Sequence, residues 1–344
     1  MNGLGATGPA RVVGFGEVLL RLASEAPAML LQEMRLEATF CGAEANALVA
    51  LAGFGHPVRM VTALPDNRLG DAAVRTLQSF AVDVAAVRPG DSRIGLLFLQ
   101  PGAMSRPSAI TYDRAGSAFA TIDPAAYDWR AILAGAEWLF VSGITAALGD
   151  AGLSALRAAI QTARSLGVKI AFDTNYRPTL WRGREELAAK VLYELSCETD
   201  LLFAGRRAVA MMTGSRFDHA DPTEGFLAAA ETMFERAPKL HHIASTRRTL
   251  HSTDRQEIVG LLADRDGLSI SPAIELQAIV DRVGTGDAFA GGVVHGLITG
   301  MDRQQTADFA AACSQWAHSV PGDFLRASID DITALMSGGG DVRR

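Results

Sequence analysis

The stretch Asp281-Arg282-Val283-Gly284-Thr285-Gly286-Asp287-Ala288-Phe289 decides how this chain is interpreted. The apolar residues Ile279 and Val280 in front of it predict a strand, and the small residues after it, from Ala288 to Val293, predict a helix. A glycine-rich turn between a strand and a helix lets several backbone N–H groups point at one spot, which attracts anions. The stretch therefore predicts an anion-binding turn.

Asp287 allows two interpretations at this point. It could cap the helix while the glycines make a tight turn. Alternatively, it could sit beside a phosphoryl group and take a proton from an attacking hydroxyl, because a carboxylate there would otherwise repel a bound phosphate. The stretch alone leaves both open.

Composition excludes several classes of function. With 344 residues, 49% of them apolar, the chain can form one large or two moderate domains with a sizeable core. A net charge of −6 argues against nucleic acid as a partner. No apolar run reaches the length of a membrane span, and the first ten residues lack the features of a signal peptide. The cysteines, Cys41, Cys197 and Cys313, are scattered and show no metal-ligand spacing, so we expect reduced thiols, a cytoplasmic protein and no protein-held metal.

Lysine is rare and badly placed for two common phosphate-binding machineries. Only Lys169, Lys190 and Lys239 occur, against 29 arginines. None lies in a Gly-Lys-Ser/Thr motif, which excludes a Walker A loop. None precedes residue 169, which excludes the strand lysine of a protein kinase.

From about residue 127 the chain alternates strand and helix patterns. Strands are predicted at 138–142, 169–173, 201–204 and 242–245, with helices between them, which indicates a parallel sheet covered on both faces. Ligands then bind beyond the carboxyl ends of the strands. Polar clusters at 142–145, 173–177 and 284–287 follow strands or strand-like runs, and this coincidence favours a phosphoryl-transfer site over a simple helix cap.

The N-terminal region carries a partial dinucleotide fingerprint. Gly14-Phe15-Gly16 follows a predicted strand, but Leu19 stands where the third glycine is needed and a second strand follows instead of a helix. Further on, 40–54 predicts a turn and then a helix. The segment 87–121 has no good helix and looks like a small β insertion.

The chain resembles the ribokinase-like (PfkB) family of sugar kinases from about residue 11 onward. Asp281-x-x-Gly-x-Gly-Asp-x-Phe is similar to the second signature of that family. The likeness is strongest to the 2-keto-3-deoxygluconate kinases. It is carried by Gly42-Ala43-Glu44-Ala45-Asn46, Ser142-Gly143-Ile144-Thr145, Asp173-x-Asn175-Tyr176-Arg177-Pro178-x-Leu180-Trp181 and Pro321-Gly322-Asp323-Phe324.

The resemblance implies a three-layer α/β/α sandwich with a mostly parallel central sheet and a small β-sheet lid. It implies a single kinase domain over 11–335, with the lid at about 87–121 plus parts of 17–40. Residues 1–10 and 338–344 are expected to be flexible tails. Since lids of relatives pair, a homodimer or higher homo-oligomer through the lid is expected.

The activity implied by the resemblance is ATP- and Mg²⁺-dependent phosphorylation of 2-keto-3-deoxy-D-gluconate to its 6-phosphate. Asp287 would be the base, with Gly284, Thr285 and Gly286 forming the anion hole. The substrate contacts carried over are Gly42, Ala43, Asn46, Tyr112, Arg114, Ile144, Arg177 and Asp323. Nucleotide contacts carried over are Gly205 and Ser245, together with Gly284 and Gly286.

Two stretches depart from the family pattern. Gly205-Arg206-Arg207-Ala208 stands where the family often has Asn-x-x-Glu, and Ser245-Thr246-Arg247-Arg248-Thr249 replaces the usual Lys-x-Gly-x-x-Gly. We hypothesise that an arginine in one of these stretches compensates on the nucleotide side.

Three alternatives stay open on sequence grounds. The first is another kinase of the same fold, for fructose, ribose or 5-dehydro-2-deoxygluconate; Arg114 and Arg177 argue against neutral sugars, which need no charged clamp. The second is a non-catalytic sugar sensor, which the missing Asn-x-x-Glu favours and the intact Gly-Thr-Gly-Asp opposes. The third is a dinucleotide-dependent dehydrogenase based on Gly14 and Gly16.

Overall fold

A mostly parallel sheet forms the centre of the computed structural model, which describes residues 11–338. Its spatial order is β13-β12-β11-β10-β9-β8-β1-β4-β5, with β14 also pairing with β12. The strands from β11 to β5 in this order run parallel, and β12 to β14 add an antiparallel edge. The strands are β1 Val12–Phe15, β4 Val58–Pro65, β5 Val82–Gly90, β8 Trp138–Ser142, β9 Lys169–Asp173, β10 Leu201–Phe203, β11 His242–Leu250, β12 Arg255–Asp264, β13 Gly267–Ile270 and β14 Ile274–Gln277.

The central strands are buried on both faces because helices cover both sides of the sheet. Strand β8 shows the alternation: Trp138 and Phe140 pack into the core on one face, and Leu139 and Val141 pack into the core on the other. These continuous apolar runs made the strands predictable from sequence.

The helices form the two outer layers. Helices α1, α2, α9 and α10 contribute to one core, and α5, α6, α7 and α8 contribute to the opposite one. The helices are α1 Ala43–Gly53, α2 Arg68–Ser79, α3 Trp129–Ile132, α4 Gly143–Ala147, α5 Asp150–Leu166, α6 Glu185–Ser196, α7 Arg206–Thr213, α8 Pro222–Arg236, α9 Thr285–Thr299, α10 Arg303–Ala317 and α11 Ile329–Met336, with a 3₁₀ turn at Pro124–Ala126. Between residues 11 and 338, no helix combines the length and apolar character that crossing a bilayer demands.

A second, four-stranded sheet stands over the carboxyl ends of the central strands; we call it the lid. Its order is β3-β2-β6-β7, with β2 and β6 parallel and the two outer pairs antiparallel. The chain enters it twice, directly after β1 and directly after β5. The lid strands are β2 Leu19–Ala23, β3 Glu37–Cys41, β6 Gly95–Gln100 and β7 Ala109–Asp113.

The predicted fold class is confirmed, while some local predictions fail. Ile279 and Val280 are not a strand: β14 ends at Gln277, and Ala278 adopts a φ of +52° that breaks the ladder. Strand β5, which pairs with β4 as far as Gly90, takes up the start of the segment expected to be lid. Helix α11 was not predicted, although Ser328 and Asp331 form a capping box at its start. The predicted tails, 1–10 and all but Gly338 of 338–344, lie outside the described residues.

Candidate active site

A cavity of about 1140 Å³ lies between the lid and the carboxyl ends of the central strands. Most of the site residues predicted from sequence line it, coming from the starts of α1, α4, α7 and α9, the end of β7, the middle of β11, and the loops after β9 and α10. They are Gly42, Ala43, Asn46, Tyr112, Arg114, Ile144, Arg177, Gly205, Ser245, Gly284, Gly286, Asp287 and Asp323. Thr285 is the exception, since its buried side chain donates to the carbonyl of Arg282 at 3.1 Å.

The turn before α9 has the geometry of an anion site. Gly284 has a φ of +79°, and a Cβ there would overlap the backbone carbonyl of Asp323, so a side chain is doubly disfavoured. Helix α9 begins at Thr285 and has no side-chain cap. Its first N–H groups therefore have no intrahelical acceptor and are available to a ligand. The interpretation of Asp287 as the helix cap is wrong, because Gly284 occupies that position and Asp287 lies inside the first turn.

Asp287 faces the cavity and is held by Asn46. The Nδ2 of Asn46 donates to its Oδ2 at 2.6 Å, so helices α1 and α9 are joined at this carboxylate. Burial raises the pKa of Asp287 well above its ordinary value; the Asn46 bond opposes this, and the nearby Asp173 and Asp323 reinforce it. A carboxylate with a raised pKa is a better proton acceptor than an ordinary aspartate.

The last residue of β9 and the loop after it place a carboxylate and a guanidinium near Asp287. Burial raises the pKa of Asp173 to about 6, against the opposing effects of Arg177 and Asn175. Asn175 donates to Asp173 through its backbone at 2.9 Å and its side chain at 3.2 Å. Arg177 is exposed to the cavity and makes no ion pair with any residue between 11 and 338. It is therefore free to bind an anion.

Arg21 is a buried positive charge of the site. It lies on lid strand β2, is 5% exposed, and bridges Asp281 at 2.5 Å and Asp323. Asp281 also accepts the N–H groups of Arg282 at 2.7 Å and Val283 at 3.1 Å. Burial alone would lower the pKa of Arg21, but Asp323 and Asp281 outweigh burial and raise it. Arg21 thus connects the lid, the anion-binding turn and the loop that carries Asp323.

Arg114 is paired inside the protein. Its Nε donates to Glu17 at 2.7 Å, and its Nη2 lies 2.5 Å from the same carboxylate, which also accepts from Ser117 at 2.5 Å. Tyr112 packs against it, with the guanidinium 5.4 Å from the ring centre. Part of the charge of Arg114 is therefore neutralised before any ligand arrives.

Gly14 and Gly16 make room for helix α1. A Cβ on Gly16 would overlap the carboxylate of Glu44, and one on Gly14 would press on Leu48. Burial raises the pKa of Glu44 to about 7. The chain then continues into lid strand β2 and not into a helix, so these glycines do not form a dinucleotide-binding turn.

The cavity is also lined by two of the four arginines in the stretches 205–208 and 245–249, which depart from the family pattern. Arg207 and Arg248 line it and are exposed. Arg206 instead donates to the carbonyl of Phe217 at 3.1 Å, and Arg247 donates to Thr223. Arg207 and Arg248 are therefore exposed to the cavity, whereas Arg206 and Arg247 bond to other parts of the protein.

Two arginines of the site were not singled out from sequence as site residues. Arg21 shares the buried face of β2 with Leu19 and Ala23. A charged residue in the alternating apolar positions of a strand could have indicated a buried ion pair. Arg282 lies within the signature stretch, but its partners lie about 30 residues away, and no local pattern reveals them.

Comparison with known proteins gives consistent matches along the chain. The family model described as pfkB family carbohydrate kinase matches residues 9–326. The chain is 29% identical to the 2-dehydro-3-deoxygalactonokinase of Haloferax volcanii, over 96% of this chain and 98% of that one. Its structure is similar to that of the 2-dehydro-3-deoxygluconokinase of Thermotoga maritima, with 37% identity, a TM-score of 0.91, and 95% and 99% of the two chains covered. A PfkB family carbohydrate kinase of Listeria grayi gives 31% identity and a TM-score of 0.90, covering 95% and 99%.

Proposed function

The chain belongs to the pfkB family of carbohydrate kinases, and on that basis we propose that it transfers the γ-phosphoryl group of ATP to the primary hydroxyl of 2-keto-3-deoxy-D-gluconate. The observation that carries the proposal is the placement of Asp287. This carboxylate lies in the first turn of α9 and accepts from Asn46, and it shares one cavity with Arg177, which forms no ion pair with the residues that the structure describes. We therefore assign the base, the turn that binds the phosphoryl group and the site for the substrate carboxylate to this one cavity.

In the proposed reaction, Asp287 takes the proton of the sugar hydroxyl as the new oxygen–phosphorus bond forms. The bond between the γ-phosphorus and the β–γ bridging oxygen breaks, and ADP leaves. The N–H groups of Gly284, Thr285 and Gly286 stabilise charge on the transferring oxygens without reorganising. The lid excludes water, which would otherwise compete with the sugar.

The acid end of the sugar is assigned to Arg177, since Arg114 is already paired with Glu17. Tyr112 and Arg114 shape this end, and Asp323, together with Gly42, Ala43, Asn46 and Ile144, contacts the remaining sugar atoms. Guanidinium groups bind carboxylates through paired, charge-assisted hydrogen bonds. This arrangement favours acidic sugars over neutral ones.

A sugar panel tests the substrate. ADP release is measured with 2-keto-3-deoxy-D-gluconate, its galactonate epimer, 5-dehydro-2-deoxygluconate, fructose and ribose. We expect kcat/KM for the first to exceed that of the neutral sugars at least about tenfold, the scale of one charge-assisted contact. Arg177→Met should remove most of that preference.

Each other outcome of the panel is decisive. A preference for the galactonate epimer, the substrate in the name of the Haloferax volcanii relative, would change the sugar and keep the chemistry. A preference for fructose or ribose would overturn the acid clamp. Absence of turnover with every sugar would favour the non-catalytic sensor.

The nucleotide is assigned to the end of the cavity with Gly205 and Ser245, where Arg207 and Arg248 take its phosphates. Mg²⁺ is proposed to arrive with ATP, held mainly by phosphate oxygens and water. Between residues 11 and 338 no group of three or more His, Cys, Asp or Glu side chains is arranged to hold a metal ion.

Alanine variants of the four arginines separate the nucleotide contacts. Arg207→Ala and Arg248→Ala are each expected to raise the KM for ATP about tenfold, because a charged hydrogen bond to phosphate is lost. Arg206→Ala and Arg247→Ala serve as matched controls with an unchanged KM, since their side chains are directed at Phe217 and Thr223. An unchanged KM in all four variants would refute the assignment.

The lid is proposed to form a homodimer contact. Exposed apolar side chains lie on it and on the connection between β2 and β3, namely Met29, Leu31, Met34, Met104 and Ile110. A monomer in analytical ultracentrifugation would contradict this.

ATP as substrate and three free cysteines support a cytoplasmic location, which fractionation of the source cells would test.

A further inference from the structure

The tip of the lid touches the body of the protein on the far side of the cavity. The tip is the turn between β6 and β7, closed by two backbone hydrogen bonds between Ala103 and Arg106, at 3.0 and 2.8 Å. Within it, Met104 has a φ of +53° and exposes its side chain while its carbonyl points inward. A defined turn therefore presents one carbonyl group to the body.

That carbonyl is bound by Thr253, in the loop between β11 and β12. Thr253 donates to it twice, from its backbone N–H at 3.1 Å and from its Oγ1 at 2.6 Å. Thr253 and the lid-tip residues Gly102 and Ser108 all line the cavity. The contact thus bridges the opening between the lid and the body.

Arg282, which belongs to the anion-binding turn, forms hydrogen bonds with the same loop. Arg282 Nη2 donates to the carbonyl of Ser252 at 3.1 Å and to that of Thr253. With its amide oriented to satisfy both groups, the buried Gln256 accepts from Nη2 at 2.8 Å and Nε at 2.9 Å. These acceptors all lie on one hairpin, so Nε and Nη2 of Arg282 are committed to the hairpin.

Direct contacts therefore run from the lid tip to the catalytic turn. Met104 contacts Thr253, Thr253 contacts Arg282, and the backbone N–H of Arg282 is bonded to Asp281 at 2.7 Å. Gly284, two residues after Arg282, begins the turn that leads to Asp287. Moving the lid tip away would leave the Thr253 hydroxyl without its acceptor. The loop that Arg282 binds would then lose its contact with the lid.

We propose that Thr253 and Arg282 are positioning residues that couple lid closure to the anion-binding turn. The turn is then held in its working geometry only while the lid tip contacts Thr253. The proposal rests on the proposed kinase function for its kinetic consequences. Its structural consequence, mutual stabilisation of the lid tip and the turn, does not depend on the identity of the sugar.

The test compares Thr253→Val, which removes the hydroxyl and keeps the backbone bond, with Thr253→Ser, which restores the hydroxyl. Thr162→Val is the matched control: its hydroxyl also bonds a carbonyl, that of Ala158 at 2.8 Å, but within helix α5. Hydrogen–deuterium exchange is followed in peptides covering 101–108 and 281–287. Kinase assays follow kcat, the KM for ATP, and the ATP hydrolysed per sugar phosphorylated.

We expect Thr253→Val to speed exchange in both peptides and to lower kcat about fivefold, the scale of one lost hydrogen bond. The KM for ATP should stay within about twofold, and more ATP should be hydrolysed without sugar product. Thr253→Ser should behave like the wild type, and Arg282→Lys like Thr253→Val.

Exchange that changes only in 101–108 would overturn the coupling, as would a Thr253→Val variant that matches Thr162→Val. Failure of the kinase proposal would look different, because the wild-type protein itself would phosphorylate no sugar while the exchange comparison stayed interpretable.

Discussion

Replacing Asp287 with Asn is expected to lower kcat at least about a hundredfold, the scale of general-base contributions. Asn has nearly the same shape and can still pair with Asn46, but it cannot accept a proton from the sugar hydroxyl. The lowered rate should therefore come with little change in sugar binding. Stopped-assay kinetics with saturating ATP give kcat, and calorimetry gives the sugar affinity.

The pH profile provides the control for this prediction. The base must be ionised to act, and burial raises the pKa of Asp287, so wild-type kcat/KM should fall on the acid side at a higher pH than an ordinary aspartate would give. The residual activity of Asp287→Asn should lack that limb. Near-normal turnover in the variant would refute the assignment of the base.

Replacing Arg21 with Met is expected to lower the free energy of unfolding by about 3–5 kcal/mol, the cost of leaving buried charge unpaired. Arg21 is the shared partner of Asp281 and Asp323, and both of those carboxylates are buried. Without the guanidinium, the two carboxylates must bind protons or admit water. Chemical denaturation of the free protein measures the change.

An exposed ion pair supplies the matched control. Arg157 pairs with Glu194 at 2.6 Å, but the two side chains are 49% and 50% exposed, so Arg157→Met should cost less than about 1 kcal/mol. Equal losses for the two variants would show that Arg21 is not a structural connection between lid and body. Arg21→Lys keeps the positive charge but lacks the two separate guanidinium nitrogens that bind Asp281 and Asp323. Its loss of unfolding free energy should lie between those of the two Met variants.

Local sequence patterns predicted the framework of the fold. Strands β8 and β9 match their predicted ranges, because strands buried on both faces are uninterrupted apolar runs. The pairing of lid strand β2 with β6, whose sequences lie more than 70 residues apart, left no such trace. The strand predicted at Ile279 and Val280 is wrong. These apolar residues lie in a loop, where the backbone N–H of Val280 donates to the distant carbonyl of His318.

The membership of the site was more predictable than its charge state. Signature residues follow strands, so the topology brings them to one cavity, and Thr285 is the exception because its side chain turns back to Arg282. The neutralisation of Arg114 by Glu17 could not be predicted, since the two residues are 97 positions apart. The same applies to Arg21, whose partners are 260 and 302 positions away.

Identifying the product tests the proposed kinase activity most directly. Wild-type protein, MgATP and 2-keto-3-deoxy-D-gluconate are incubated, and the sugar is examined by mass spectrometry and by phosphorus–proton correlation NMR. We expect one phosphate ester per sugar, on the C6 oxygen, in amounts equal to the ADP formed, and almost none with Asp287→Asn. Release of ADP with only inorganic phosphate, or a sugar that stays unphosphorylated, would contradict it.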